Sequence, residues 1–178
     1  IIPMIAIALV STALVLPIGE KPVYKISIDG EFSDWAGRTT FVGQRPQPSP
    51  NIDILNVGVE NNGDYLSFYI ETAGPILKGG NNIVDTFYIF IDYDLNSDTG
   101  YRVDYLGADY LISVHGKDGA VLGSTLSTFN NSRDHNDWNG WRDSSSIDAI
   151  CSGDQLETQV DWKALGDGET QVEAYFYS

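Results

Sequence analysis

Short apolar runs, rich in Val, Ile, Tyr, Phe and Thr, recur along most of this chain and are punctuated by Gly, Asn, Asp and Pro. That pattern predicts strands joined by turns. The runs lie at Tyr24 to Asp29, Ile52 to Glu60, Tyr65 to Glu71, Thr86 to Tyr93 and Tyr110 to His115. Others follow at Ala120 to Leu126, Ser146 to Cys151, Leu156 to Trp162 and Gln171 to Tyr177. Asn61-Asn62-Gly63-Asp64 has hairpin chemistry and joins two of them. No amphipathic helix is visible after residue 20, although Trp162 to Gly166 fits a single helical turn. Many short strands at this spacing predict an all-β, jelly-roll-like antiparallel β-sandwich rather than a parallel sheet. Pro46, Pro48 and Pro50 mark a stiff extended connection, not a domain boundary.

The opening stretch breaks the pattern. Ile1 to Ile18 carries no charge, and the character of the chain changes at Gly19-Glu20-Lys21. The expected organisation is therefore an apolar segment over 1–19 and a sandwich domain over 20–178. Crossing a bilayer as a helix takes about 20 apolar residues, and Ile1 to Leu16 falls slightly short. The segment is apolar on all sides and contains three Ala, which predicts a helix that Pro17 and Gly19 end. Four Ile and two Val in Ile1 to Leu16 keep a second reading open, an extended strand donated to a neighbour's sheet.

A first residue other than Met, followed by a retained apolar stretch, resembles type IV pilin-like precursors cut just before their hydrophobic segment. That resemblance implies assembly of copies of the chain into an extracellular filament. A simple membrane anchor and an uncleaved signal sequence are the alternatives, and a membrane enters only before assembly or as that anchor.

Charge narrows the partners. Ten Lys plus Arg against 25 Asp plus Glu leave a net charge of −15, which repels nucleic acid and anionic lipid. Cys151 is the only cysteine, so no disulfide forms within the chain, and its apolar setting predicts a small buried hydrophobe. Asn130-Asn131-Ser132 is a glycosylation sequon in a polar loop, which fits an exported glycoprotein at the cell surface. A domain of this kind without disulfides calls for another staple, and bound metal supplies one.

The densest chemistry is IDYDLNSDTGY. Asp92, Asp94, Asn96 and Asp98 place oxygen-bearing side chains on alternate residues where a strand ends. Ca²⁺ takes six to eight hard oxygen ligands, so these four predict a calcium site completed by carbonyls and water. An ordinary Asp/Asn-rich turn is the competing reading. The loop is not an EF-hand: with Asp92 as position 1, Ser97 occupies the glycine position and Val103 the bidentate glutamate position. Asp104, Asp109, Asp53 and Asp85 are further candidate ligands.

IDGEFSDW, NNGDYLSFYIE, FYIFIDYDLNSDTGY and GADYLISV, in that order, resemble family 9 carbohydrate-binding modules and the related DOMON-like sandwiches. The resemblance implies a jelly roll, often calcium-containing, on an exported protein. Its members include sugar-binding, haem-binding and structural domains, so fold alone does not set function. The only methionine is Met4, inside the apolar segment, which argues against Met/His haem ligation. Trp138 and Trp141, in a polar loop, are the candidates for stacking on sugar, whereas Trp35 and Trp162 read as core. No nucleophile motif, phosphate loop or metal-binding His pair is present, so an enzyme is not expected. The sequence thus predicts a structural filament subunit that binds copies of itself, with a surface-anchored carbohydrate-binding module recognising cell-surface glycan as the alternative.

Overall fold

The computed structural model describes residues 7–10, 25–43, 46–80, 83–166 and 171–178. The strands among them are β1 (Ile7–Val10), β2 (Thr40–Val42), β3 (Ile54–Asn61), β4 (Tyr65–Thr72), β5 (Asp85–Asp92), β6 (Tyr101–Val103) and β7 (Leu106–Ala108). They continue with β8 (Tyr110–Lys117), β9 (Ala120–Phe129), β10 (Trp141–Ser146), β11 (Ala149–Ser152), β12 (Gln155–Asp161) and β13 (Val172–Tyr177). One helical turn, α1 (Trp162–Leu165), follows β12 as the sequence predicts.

One sheet runs β1-β13-β5-β8-β9-β10, the other β11-β12-β4-β3-β2, and β6 pairs with β7 as a separate ribbon. All the pairings are antiparallel. The two large sheets face each other across one core. Phe87, Ile89 and Ile91 of β5 and Phe176 of β13 meet Phe68 and Ile70 of β4 and Leu156 of β12 there. Strand side chains alternate in direction, so the intervening residues of β5 and β13 must face outward. Those residues are Tyr88, Phe90, Tyr175 and Tyr177, and they form a second apolar cluster with Leu106 and Ala108 of β7. The six-stranded sheet is therefore apolar on both faces along these two strands.

The all-β sandwich expectation agrees with this architecture. The opening segment is mostly outside the described residues, as is its expected boundary at residues 19–20. Its four described residues, Ile7–Val10, are extended rather than helical and pair with β13 in the register Ile7↔Tyr175 to Val10↔Val172. Among the described residues no helix is long and apolar enough to cross a membrane. β2, β6, β7 and the polar strand β10 were not legible as strands.

The expected strand at Tyr24 to Asp29 is a correction: its described part, 25–29, is irregular. The reason is a buried carboxylate. Glu157 of β12 is fully buried and accepts the amides of Asp29 and Gly30, each at 2.9 Å, and Trp35 Nε1 at 3.0 Å. Ser27 N bonds Asp34 Oδ2 at 2.8 Å. These amides are satisfied by side chains instead of a ladder, and the segment lies as a strap on the outer face of the second sheet. Ile26, Trp35 and Tyr69 form a small core beneath it, with Trp35 and Tyr69 stacked at 5.3 Å. Burial pushes the Glu157 carboxyl above its usual range, opposed by those three donors.

Glu157→Ala should remove three bonds to a charged acceptor and cost roughly 2–4 kcal/mol in urea unfolding, because Trp35 Nε1 stays buried without its acceptor. Glu157→Gln, which keeps one acceptor oxygen, should cost less. Equal losses in the two variants would mean the carboxylate does not anchor the strap.

Candidate metal centre and aromatic groove

β5 ends at Asp92, and the chain then turns through Leu95 with a φ of 55° and Gly100 with a φ of 67°. The returning loop packs directly on β7. A Cβ at Gly107 would lie 2.2 Å from Thr99 O and 2.5 Å from Asn96 O, so glycine alone permits this approach. Folding back brings Asp109, between β7 and β8, up to the end of β5. Carboxylate oxygens of Asp92, Asp94 and Asp109 lie within 4.8 Å of one another.

Backbone amides hold the three acids in place. Asp92 accepts from Asn96 N and Gly107 N, both at 3.2 Å. Asp109 Oδ2 accepts Tyr93 N at 3.0 Å and Asp94 N at 3.3 Å. Thr99 Oγ1 reaches both Asp94 oxygens, at 3.1 and 3.0 Å. A carboxylate oxygen has two lone pairs, so each Asp92 oxygen, with one amide contact, keeps capacity for a cation. Hard oxygen donors in this number suit Ca²⁺ or Mg²⁺ rather than a softer metal.

The predicted ligands divide. Asp92 and Asp94 converge. Asn96 contributes its amide to both of them, at 3.2 and 3.0 Å, while its side-chain oxygen accepts Asp98 N at 3.1 Å. Asp98 lies outside the cluster and lines a polar hollow of about 370 Å³ with Arg102, Asp134 and His135. Asp109 takes a place in the cluster, and the only sequence signal for it was its position in the segment expected to fold back. Asp85 is buried and bonded to Asn51 and Gly79 N instead, and Asp53 accepts Gln47 N.

A second feature lies on the outer face of β5 and β13. Phe90 and Tyr175 form the base of a groove of about 320 Å³ whose walls include Tyr88, Tyr101, Trp138 and Tyr177. Trp138 is 44% exposed and meets Tyr88 and Tyr101 edge-on at 5.5 and 5.6 Å. Arg102 and Asp104 stand at the rim. Trp141 does not line the groove. It packs against Phe129 at 5.1 Å and Tyr101 at 5.5 Å, and its buried Nε1 has no hydrogen-bond partner among the described residues. The two candidate tryptophans thus differ, Trp138 being offered to solvent and Trp141 supporting it. Asn130 is half-buried just after β9, and its Oδ1 accepts Ser132 N at 3.2 Å. Cys151 is half-buried on β11.

Burial of the acids, with their crowding second, has a pH consequence. Asp109 is pushed up to about 6 from 3.8, by burial first, with the Asp94 and Asp92 charges adding and the Tyr93 amide opposing. Burial raises Asp92 as well. A raised carboxyl binds its proton more tightly in the folded state than in the unfolded one. Its stabilisation is complete below about pH 3.8, shrinks as pH rises, and is gone above about pH 6. In chelator, the melting temperature of the parent should fall between pH 4 and pH 7 by more than that of Asp109→Asn. Parallel pH curves for the two proteins would show that Asp109 does not titrate in this way.

Compared with known proteins, the chain matches no family model, no curated protein and no solved structure.

Proposed function

We propose that this chain is the structural subunit of an extracellular filament, in which β1 of one copy completes the sheet of the next and Ca²⁺ stiffens the sandwich. The observation that carries the reading is the place of β1 at the sheet edge, antiparallel to β13. It comes from an uncharged apolar stretch, and residues 11–24 separate it from the strap. Those residues reach roughly 46–50 Å when extended, beyond the ~30 Å width of a small domain. The same strand can therefore fill the β13 edge of its own copy or of a neighbour. Main-chain bonds then supply affinity, and apolar residues find shelter from water. Exchange of an identical element needs no new interface chemistry. Under this reading the helical packing expected for the segment gives way to a donated strand.

Calcium enters as the second part. Asp92, Asp94 and Asp109 would hold it, and the cation would cancel a repulsion that otherwise loosens the junction of β5, β7 and β8. The aromatic groove favours a second reading, a surface-anchored carbohydrate-binding module, with Trp138 stacking on a sugar face and Trp141 behind it.

Deleting residues 1–18 should give a soluble monomer that keeps β-type circular dichroism and forms no polymer in electron micrographs. Pro at both Ala8 and Leu9 should act alike, because one of the two amides faces β13 in any pairing phase. Polymers of normal length from either variant would remove β1 from assembly.

Calcium at about a hundredfold above Kd should stabilise the parent by roughly 2.7 kcal/mol. Asp94→Ala should erase that increment while the fold survives, and Asp98→Ala should retain it. A melting temperature unchanged by verified metal removal would reduce the cluster to a polar turn.

A further inference from the structure

Three adjacent strands share one row at the acidic end of the six-stranded sheet. Glu173 of β13 lies directly across from Asp92 of β5 on one side and from Leu9 of β1 on the other. Alternation along β13 puts Glu173 on the same outer face as Tyr175 and Tyr177. Asp92 is buried there, and Glu173 is half-buried. Burial first, and the Asp92 charge second, hold the Glu173 carboxyl above its usual range, so the two acids feel each other. The Glu173 charge also acts on Tyr105, in the turn between β6 and β7 that carries Asp104. Among the described residues, neither Asp92 nor Glu173 has a basic partner. Position 9 supplies leucine, which brings no charge to balance Glu173. Like charges directly opposite each other on two strands weaken their pairing. The next rows, Phe90↔Tyr175 and Tyr88↔Tyr177, carry no such charge, so the strain enters β13 at this end.

We propose, resting on the calcium reading above, that a cation held by Asp92, Asp94 and Asp109 governs how firmly β1 pairs with β13, with Glu173 coupling the two. When β1 pairs, its backbone takes water from one side of Glu173. The repulsion between Glu173 and Asp92 then acts through a less polar medium and grows. A divalent cation cancels two of the cluster's three carboxylate charges, so pairing costs less when the site is filled. The coupling is reciprocal: the factor by which calcium favours β1 pairing is the factor by which β1 pairing favours calcium. Glu173 acts here through Asp92 and not as a ligand, because it is not among the acids whose oxygens gather within 4.8 Å of one another. In the filament reading, calcium then decides whether a donated strand stays, and a calcium-free subunit holds its β1 partner loosely.

Calorimetric titration of full-length chains with calcium chloride at neutral pH tests the coupling. Ala8→Pro with Leu9→Pro, which breaks β1 pairing, should weaken calcium binding at least about fivefold, the lower end of coupling between sites. In Glu173→Gln the same two prolines should change calcium affinity less than about twofold. Peptide-resolved hydrogen exchange reads the other direction on chains without prolines. Chelation of the parent should speed exchange of residues 172–177 at least about fivefold more than exchange of residues 65–72 in β4. Chelated Glu173→Gln should keep nearly the protection of the calcium-loaded parent, since the charge that opposes pairing is gone. A glutamate with a merely structural role would lose protection when replaced. The exchange arm decides the matter if the proline variant unfolds, and it reads β1 pairing whether the strand comes from the same copy or a neighbour. Equal calcium affinity with and without the prolines overturns the coupling. So does a shift that survives Glu173→Gln, or exchange at 172–177 that changes no more than at 65–72. A parent that binds no calcium overturns the calcium reading and the coupling together, and the titration tells that outcome apart from tight binding without coupling.

Discussion

Period-two alternation along β5 and β13 is the constraint on which the rest of the molecule turns. Both strands carry large apolar residues at successive positions, so neither face of their sheet can be left to water. One face is covered by the second sheet. The other requires a separate cover, which the β6–β7 ribbon and the loop ending at Trp141 provide. That cover is incomplete, and the aromatic groove is the part it leaves open. The acidic cluster follows from the same arrangement. For β7 to lie on the outer face, the chain leaving β5 must reverse tightly, and the reversal brings Asp109 against Asp92 and Asp94. A binding-type cavity and a cation-type cluster are thus two results of shielding one sheet.

The order of the sheets concentrates chemistry on one side. β13 neighbours β5 on one edge and β1 on the other, so the aromatic face, the acidic turn and the edge filled by Ile7–Val10 all touch two adjacent strands. The second sheet carries the opposite character. Its outer face is closed by the strap, and Glu157 and Trp35 seal it with bonds satisfied internally.

Much of this was legible in the amino-acid order. Strands β3, β4, β5, β8, β9, β12 and β13 are apolar enough, and bounded clearly enough by turns, to be read directly. β10 was not, because WRDSS gains its strand conformation from pairing with β9 rather than from burial. Tyr24 to Asp29 looked like a strand because side-chain capture of backbone amides leaves no trace in hydrophobic pattern. Asp92 and Asp94 could be read from their spacing. Asp109 could be suspected only as one of several acids, because its place depends on the close approach that Gly107 permits. Asp98 had equally suitable spacing, and the turn at Leu95 and Gly100 directs it elsewhere. The split between Trp138 and Trp141 is likewise a matter of packing around Tyr101, which spacing in sequence does not encode.

The anchoring of the strap imposes an order of events on the newly made chain. Asp29, Gly30 and Trp35 bond a carboxylate 128, 127 and 122 residues further along. Contacts of such separation form late, since a long loop must close before any bond rewards it. Until β12 is in place, the strap lacks its three bonds to Glu157, and Trp35 has its packing on Tyr69 of β4 to hold it. β1 has its partner strand later still, because β13 follows β12. Ile7–Val10, which precede every other described strand, therefore pair among the last.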